Sequence, residues 1–185
     1  MKATFIDFDD SFSFNVVQEL QLVGFEVEVV HWQDYDRNPV DGLLVLGPGP
    51  GHPDDYENIF SFVRQWLEEG RPFFGVCLGH QIFWRLQEEA VVRSKHPLHG
   101  QKVLLELSTE WRKWLGIESE VFVQRYNSLA VPSSGLRCAP GLENFIQDGE
   151  ILITRSSHVL TYRFHPESVG TSFRGKFMRA VCSIV

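Results

Sequence analysis

The sequence predicts an α/β fold: an open, doubly wound, mostly parallel sheet with a small β-rich extension in its second half. Three observations predict it. The first ninety residues alternate strand and helix patterns, with short apolar runs between segments that carry one apolar helical face. Two of those runs, residues 42–46 and 73–76, are continuously apolar or small, as strands covered on both faces are. Beyond residue 100 the helical spacing gives way to short strand candidates separated by turn residues.

Residues 2–6 read as the first strand and run into Asp7-Phe8-Asp9-Asp10-Ser11. Asp10 or Ser11 is placed to cap a helix that turns Val16, Val17, Leu20 and Val23 inward and stops at Gly24. Residues 25–30 alternate as a strand nearer an edge, and residues 31–41 form a polar loop. The strand at 42–46 is central and leads into Gly47-Pro48-Gly49-Pro50-Gly51-His52-Pro53. Asp54 or Asp55 then caps a helix with Ile59, Phe62, Val63, Trp66 and Leu67 on one face, ended by Gly70. Residues 73–76 are a buried strand. Residues 79–89 are a helix, with Leu78, Ile82, Phe83 and Leu86 on one side.

In the second half, residues 102–107, 120–125, 144–147, 151–155 and 160–164 are strand candidates, with turns at Pro132-Ser133-Ser134-Gly135 and Asp148-Gly149. Ser108 caps a short helix through Trp111 and Leu115. A last amphipathic helix places Phe173, Phe177, Val181 and Ile184 inward.

Length and composition narrow the class. The 185 residues fit a single domain, 1–185, with a full core. A hydrophobic content of 43% and a charged content of 22% are those of a soluble globular protein. The net charge of −7 and the lack of a basic run argue against a nucleic-acid partner. Cys77, Cys138 and Cys182 are odd in number and lack paired or metal-type spacing, so reduced thiols in a cytoplasmic protein are expected. No apolar run reaches membrane-spanning length, and Met1 leads straight into a strand, so neither a membrane partner nor a signal peptide is expected.

The chemistry centres on Phe73-Phe74-Gly75-Val76-Cys77-Leu78-Gly79-His80-Gln81. A cysteine flanked by glycines at a strand-to-helix turn has the arrangement of a nucleophile elbow. The following helix aims its N-terminal amides at the sulfur and favours the reactive thiolate. The alternative is a buried core cysteine. A nucleophile needs a base and the base an orienting acceptor. His165 and Glu167, fixed by Pro166 at the end of an apolar strand, can supply both, or can be a solvated surface turn. In Gly49-Pro50-Gly51 the glycines admit close approach of backbone amides while proline stiffens the loop. With the Leu78 amide these can form an oxyanion hole, each donor worth about 2.7–4 kcal/mol of barrier; the alternative is a tight loop without a ligand. The Lys-Ser/Thr ending of a phosphate-binding loop is absent. His31, His52, His96, His99 and His158 lack metal-ligand spacing and are given surface or loop roles, and His80 is read as a structural residue packing under the site.

Taken together, Gly75 to Gln81, Gly47 to Gly51 and Phe164-His165-Pro166-Glu167-Ser168 resemble the class I, triad-type glutamine amidotransferases. Ile6 to Asn15, Leu98-His99-Gly100 and Arg125-Tyr126-Asn127-Ser128-Leu129 are similar to one branch, the amidotransferase components of anthranilate synthase and aminodeoxychorismate synthase. The resemblance spans nearly the whole chain in the family's order. It implies that Cys77 attacks the side-chain amide of glutamine to form a γ-glutamyl thioester, that His165 protonates the departing ammonia, and that Glu167 orients His165. It implies further that Gly49, Pro50, Gly51 and Leu78 line the oxyanion and glutamine site, with Gln81 and the Ser128-Leu129 backbone holding the amino-acid end. No metal or organic cofactor is required. The ammonia passes to a larger, chorismate-using synthase subunit.

The chain also departs from that family's pattern. Asn127 stands where histidine is usual, Arg163 where glutamine is, Glu88 and Glu89 where two glycines are, and Gln101 where lysine is common. Phe8 and Asp9 replace asparagine and tyrosine. None of these removes the expected nucleophile, base or acid. The competing readings are a stand-alone γ-glutamyl hydrolase and a catalytically weak binding subunit.

Overall fold

The computed structural model describes residues 1–35, 42–137 and 141–185. The expected loop at 31–41 lies mostly outside them, as does Cys138; residues 32–34 within it form a single 3₁₀ turn. Cys77 and Cys182 are free thiols.

The core element is a seven-stranded sheet in the order β2-β1-β3-β4-β11-β10-β9. Its strands are β1 (Lys2–Asp7), β2 (Glu26–His31), β3 (Leu43–Leu46), β4 (Phe73–Val76), β9 (Glu143–Gln147), β10 (Glu150–Arg155) and β11 (Val159–Tyr162). From β2 across to β11 every neighbouring pair is parallel, whereas β10 runs antiparallel to both β11 and β9. Parallel strands need covering on both faces, and the alternation of side chains supplies two apolar surfaces. Ala3, Phe5, Leu43, Val45, Phe74 and Tyr162 pack with α1 (Ser13–Leu22), α4 (Thr109–Leu115) and α5 (Arg174–Ala180) on one side. Ile6, Leu44, Leu46, Phe73 and Val159 pack with α2 (Phe60–Glu68) and α3 (Leu78–Leu86) on the other.

The β-rich extension is smaller than the sequence suggested. Three of its five strand candidates join the main sheet as β9, β10 and β11. What lies outside is the antiparallel pair of β6 (Gln101–Leu105) and β7 (Val121–Arg125), and the short pair of β5 (Val92–Arg93) and β8 (Leu129–Ala130). The β9–β10 hairpin turns on Asp148 and Gly149, both at positive φ, which suits the right-handed strand twist.

Helix starts depart from expectation in three places. At α1 the cap is Phe12. Asp9, at φ 62°, turns the chain so that the Asp10 carboxylate accepts the Phe12 N–H at 2.8 Å. Before α2 a 3₁₀ segment, Pro53–Ile59, is capped by His52, whose Nδ1 accepts from Asp54 N–H while Asp55 accepts from His52 N–H at 2.7 Å. Phe173 is itself the left-handed cap of α5 and is 43% exposed, while Phe177, Val181 and Ile184 are buried. Ser108 caps α4 as the sequence predicts.

Candidate active site

Strands β3, β4 and β11 are adjacent and parallel, so the residues that follow them emerge at one edge of the sheet. After β3 comes the glycine–proline loop, after β4 comes Cys77, and after β11 come His165 and Glu167. In an open α/β sheet this carboxyl edge is where ligand sites form.

Cys77 joins β4 directly to α3. Its backbone lies at φ 53° and ψ −96°, a conformation costly for a side chain with a Cβ, held by its N–H bond to Tyr162 O at 2.8 Å. The turn works because backbone meets backbone on either side. A Cβ on Gly75 would sit 2.8 Å from the Gly79 carbonyl, and one on Gly79 would sit 2.2 Å from Leu46 O. Leu78 opens α3, so its N–H has no acceptor within the helix. Gln81, one turn on, is buried.

His165 Nδ1 meets Glu167 Oε1 at 2.6 Å, and both side chains are buried. The imidazole lies between Phe12, at 5.3 Å, and Tyr126, edge-on at 5.1 Å. Burial would lower the histidine pKa, but the charge of Cys77 and then of Glu167, with hydrogen bonds to both, raises it well above its ordinary value. Its backbone is fastened to β7: the His165 N–H donates to Gln124 O at 3.0 Å, and Thr171 Oγ1 donates to His165 O at 2.7 Å. The surface-turn alternative for this pair does not fit such burial.

The loop after β3 presses on the elbow. The Gly79 N–H donates to Gly47 O at 3.2 Å, and Tyr56 Oη donates to Pro50 O at 3.0 Å. Gly49 lies against Leu78 and Phe8, where a Cβ would meet Leu78 Cδ2 at 2.4 Å. Gly51 has φ +75° and is closed off by Asp55. Leu129 opens β8 with Ser128 just before it, and the Leu129 carbonyl is bonded by Arg163, two residues before His165. Among the other histidines, His31 pairs with Asp9 at 3.0 Å, and His96 and His99 are exposed. His80 is fully buried under the elbow, with Nδ1 2.8 Å from Thr161 Oγ1.

Sequence reasoning gave no role in the site to Phe12, Tyr126, Gln124 or Thr171, nor to the buried charges Arg125, Glu150 and Arg163. A signal existed for Arg125 and Arg163, since charged residues within apolar strand candidates must find partners; Glu150 fell between two candidates and carried none.

A buried cysteine at a strand-to-helix turn, beside a carboxylate-bound histidine, gives this α/β fold the geometry of a nucleophile elbow. The chain belongs to the class-I glutamine amidotransferase family, whose model matches residues 4–183. It is 33% identical over 183 residues to anthranilate synthase component 2 of Helicobacter pylori (strain J99), covering 92% of this chain and 91% of that one. It is 30% identical over 180 residues to the aminodeoxychorismate/anthranilate synthase component 2 of Bacillus subtilis, covering 94% and 92%. Its fold superposes on a Thermoplasma acidophilum protein assigned to a GMP synthase, with a TM-score of 0.80 at 18% identity, covering 100% of this chain and 93% of that one.

Proposed function

We propose that the chain is the glutamine-hydrolysing subunit of a chorismate-using synthase, acting through Cys77, His165 and Glu167. The observation that carries the proposal is the convergence of a strained, buried cysteine and a glutamate-bound histidine at the ends of adjacent parallel strands. The Cys77 thiolate attacks the side-chain amide carbon of glutamine, and the carbonyl electrons move onto oxygen. Backbone N–H groups at Leu78 and in the Gly49-Pro50-Gly51 loop receive that oxyanion. As the tetrahedral intermediate collapses, the C–N bond breaks and the leaving nitrogen takes a proton from His165 to depart as ammonia. The same imidazole then deprotonates a water that attacks the thioester and releases glutamate and the thiolate. Glu167 holds His165 in orientation and balances its charge. Gln81 and the Ser128-Leu129 backbone hold the amino-acid end of glutamine.

The names of the Helicobacter and Bacillus relatives support a heteromeric setting, in which a partner subunit uses the ammonia on chorismate. The test is Cys77→Ala in the complex recovered from the native cells. Glutamine-dependent amination of chorismate is expected to vanish, while amination with added ammonium salts survives. A variant as active with glutamine as the wild type would remove Cys77 from the reaction. Recovery of an active chain without a synthase would favour a stand-alone hydrolase.

A further inference from the structure

A buried ionic cluster lies beside the candidate site. Arg125 on β7, Glu150 on β10 and Arg163 just past β11 are all buried. Arg125 Nη2 reaches Glu150 Oε2 at 3.1 Å, and Arg163 Nη1 contacts the same oxygen. Ser94 donates its hydroxyl to the other carboxylate oxygen at 2.7 Å. Burial would raise the Glu150 carboxyl, but Ser94 and the two guanidinium groups hold it below its ordinary range. Two cations therefore share one carboxylate. Buried ion clusters add little stability over apolar side chains of the same volume, so what else these groups hold matters more.

Arg163 directs its remaining donors to one acceptor. Its Nε and Nη2 donate to Leu129 O at 3.3 and 3.0 Å, and Asn127 Nδ2 donates to the same oxygen at 2.8 Å. Arg125 Nε in turn donates to Asn127 Oδ1 at 3.2 Å. Next along the chain, Ser128 O accepts the Ser94 N–H at 2.8 Å. Leu129 stands opposite Arg93 at a non-hydrogen-bonded position of the β5–β8 pair, which turns its peptide groups away from β5 toward Arg163. Both carbonyls of the Ser128–Leu129 segment are thus consumed inside the protein. The segment is left with mainly donor groups to offer a ligand, and donors suit a carboxylate. Burial and Arg125 lower the Arg163 guanidinium, Glu150 and Cys77 oppose them, and the balance leaves it at about 10, so it stays charged and within electrostatic reach of the sulfur.

We propose that Arg163 is a positioning residue for glutamine. With Asn127 beside it and Glu150 as its counter-charge, it fixes the Leu129 carbonyl and so the pose of Ser128–Leu129 against the amino-acid end of the substrate. The inference rests on the glutaminase reading above. It also gives Asn127 and Arg163, two of the departures from the family pattern, one joint task.

The test is steady-state glutamine hydrolysis by the chain in its native complex, for wild type, Arg163→Met, Arg163→Lys and Arg125→Met. Folding of each is checked by near-ultraviolet circular dichroism. Arg163→Met leaves a neutral Arg125–Glu150 pair, so it strands no buried charge. Its KM for glutamine is expected to rise about tenfold with kcat within about threefold of wild type. Arg163→Lys keeps the charge without the planar fork and falls between. Arg125→Met removes an equal charge without touching Leu129 and raises KM less than Arg163→Met. Wild-type KM in both Arg163 variants overturns the inference. So does a loss of kcat at unchanged KM, which would put Arg163 in the chemistry, or an equal rise in Arg163→Met and Arg125→Met, which would mean general loosening. If Arg163→Met does not fold, Arg163→Lys decides alone: a KM raised severalfold supports the inference and an unchanged one overturns it. A wild-type complex that hydrolyses no glutamine overturns the glutaminase reading instead, and is measured first.

Discussion

Glu167 enters the site with one carboxylate oxygen on His165, while the other, Oε2, is buried without a hydrogen-bond partner among the described residues. An unpaired oxygen leaves the carboxylate charge to be balanced by the imidazole, whose protonated form it favours. Glu167→Gln keeps the shape and removes the charge. If the amide oxygen accepts from Nδ1–H, the amide nitrogen takes the place of Oε2 and has no acceptor there, at a cost of about 1–3 kcal/mol. If the amide turns over, it forces the other histidine tautomer. Either way kcat for glutamine is expected to fall roughly 10²-fold, with ammonia-dependent synthesis by the complex unchanged; a kcat within twofold of wild type would show that the charge has no part. At this scale the sequence was most informative where residue types are rare in combination, as with Cys77 between two glycines and His165 before Pro166-Glu167. It was mute about Phe12, Tyr126 and Gln124, because stacking and backbone fastening depend on chain segments brought together only in the fold.

Helix ends show a shared device at the next scale. Helices α1, α2 and α4 stop with paired bonds from a left-handed glycine (Gly24, Gly70 or Gly116) and the residue after it back into the last turn. Helix α3 ends with the same two bonds, Glu88 N–H to Arg85 O and Glu89 N–H to Trp84 O, both 3.0 Å, but the left-handed residue is Glu88 at φ 62°. For a residue with a Cβ that conformation costs about 1 kcal/mol or more. Glu88 is exposed, so Glu88→Gly loses no packing and is expected to stabilise the fold by about 1 kcal/mol. Gly24→Ala, with open space around it but φ +99°, is expected to cost a similar amount. Chemical denaturation checks both, and a Glu88→Gly variant no more stable than wild type would mean the strain is relieved in another way. The stops at Gly24 and Gly70 were legible, since glycine at the end of an apolar period has one common meaning. The end of α3 was read three residues long, because Glu88 and Glu89 are good helix formers and carry no stop signal. Starts were harder still: Asp10, Ser11, Asp54 and Asp55 are all plausible caps, and only the turn geometry chose Phe12 and His52.

Across the whole molecule, the parallel arrangement of β1, β3, β4 and β11 was legible for its first three members, whose helices separate them in the chain. Strand β11 was not, because Leu160 to Phe164 follows a run of short strands and nothing local says that it crosses back to pair with β4. That long-range pairing joins the half of the chain that carries Cys77 to the half that carries His165, and His80 lies at the joint. It is fully buried on α3, and it is bonded to Thr161 of β11 at 2.8 Å. Burial first, and the Arg163 guanidinium second, push its pKa down to about 3. A histidine released by unfolding titrates near its ordinary 6.5, so between pH 6.5 and 3 the unfolded chain binds a proton that the folded chain refuses. The stability that neutral His80 contributes is therefore complete above pH 6.5 and is lost as pH falls, at about 1.4 kcal/mol per pH unit. His80→Asn keeps a polar group facing Thr161 but cannot titrate. Unfolding free energies from urea titrations between pH 6 and 4 are expected to fall more steeply for wild type than for His80→Asn, by about that slope. Parallel curves would show that acid does not part α3 from β11 through this histidine.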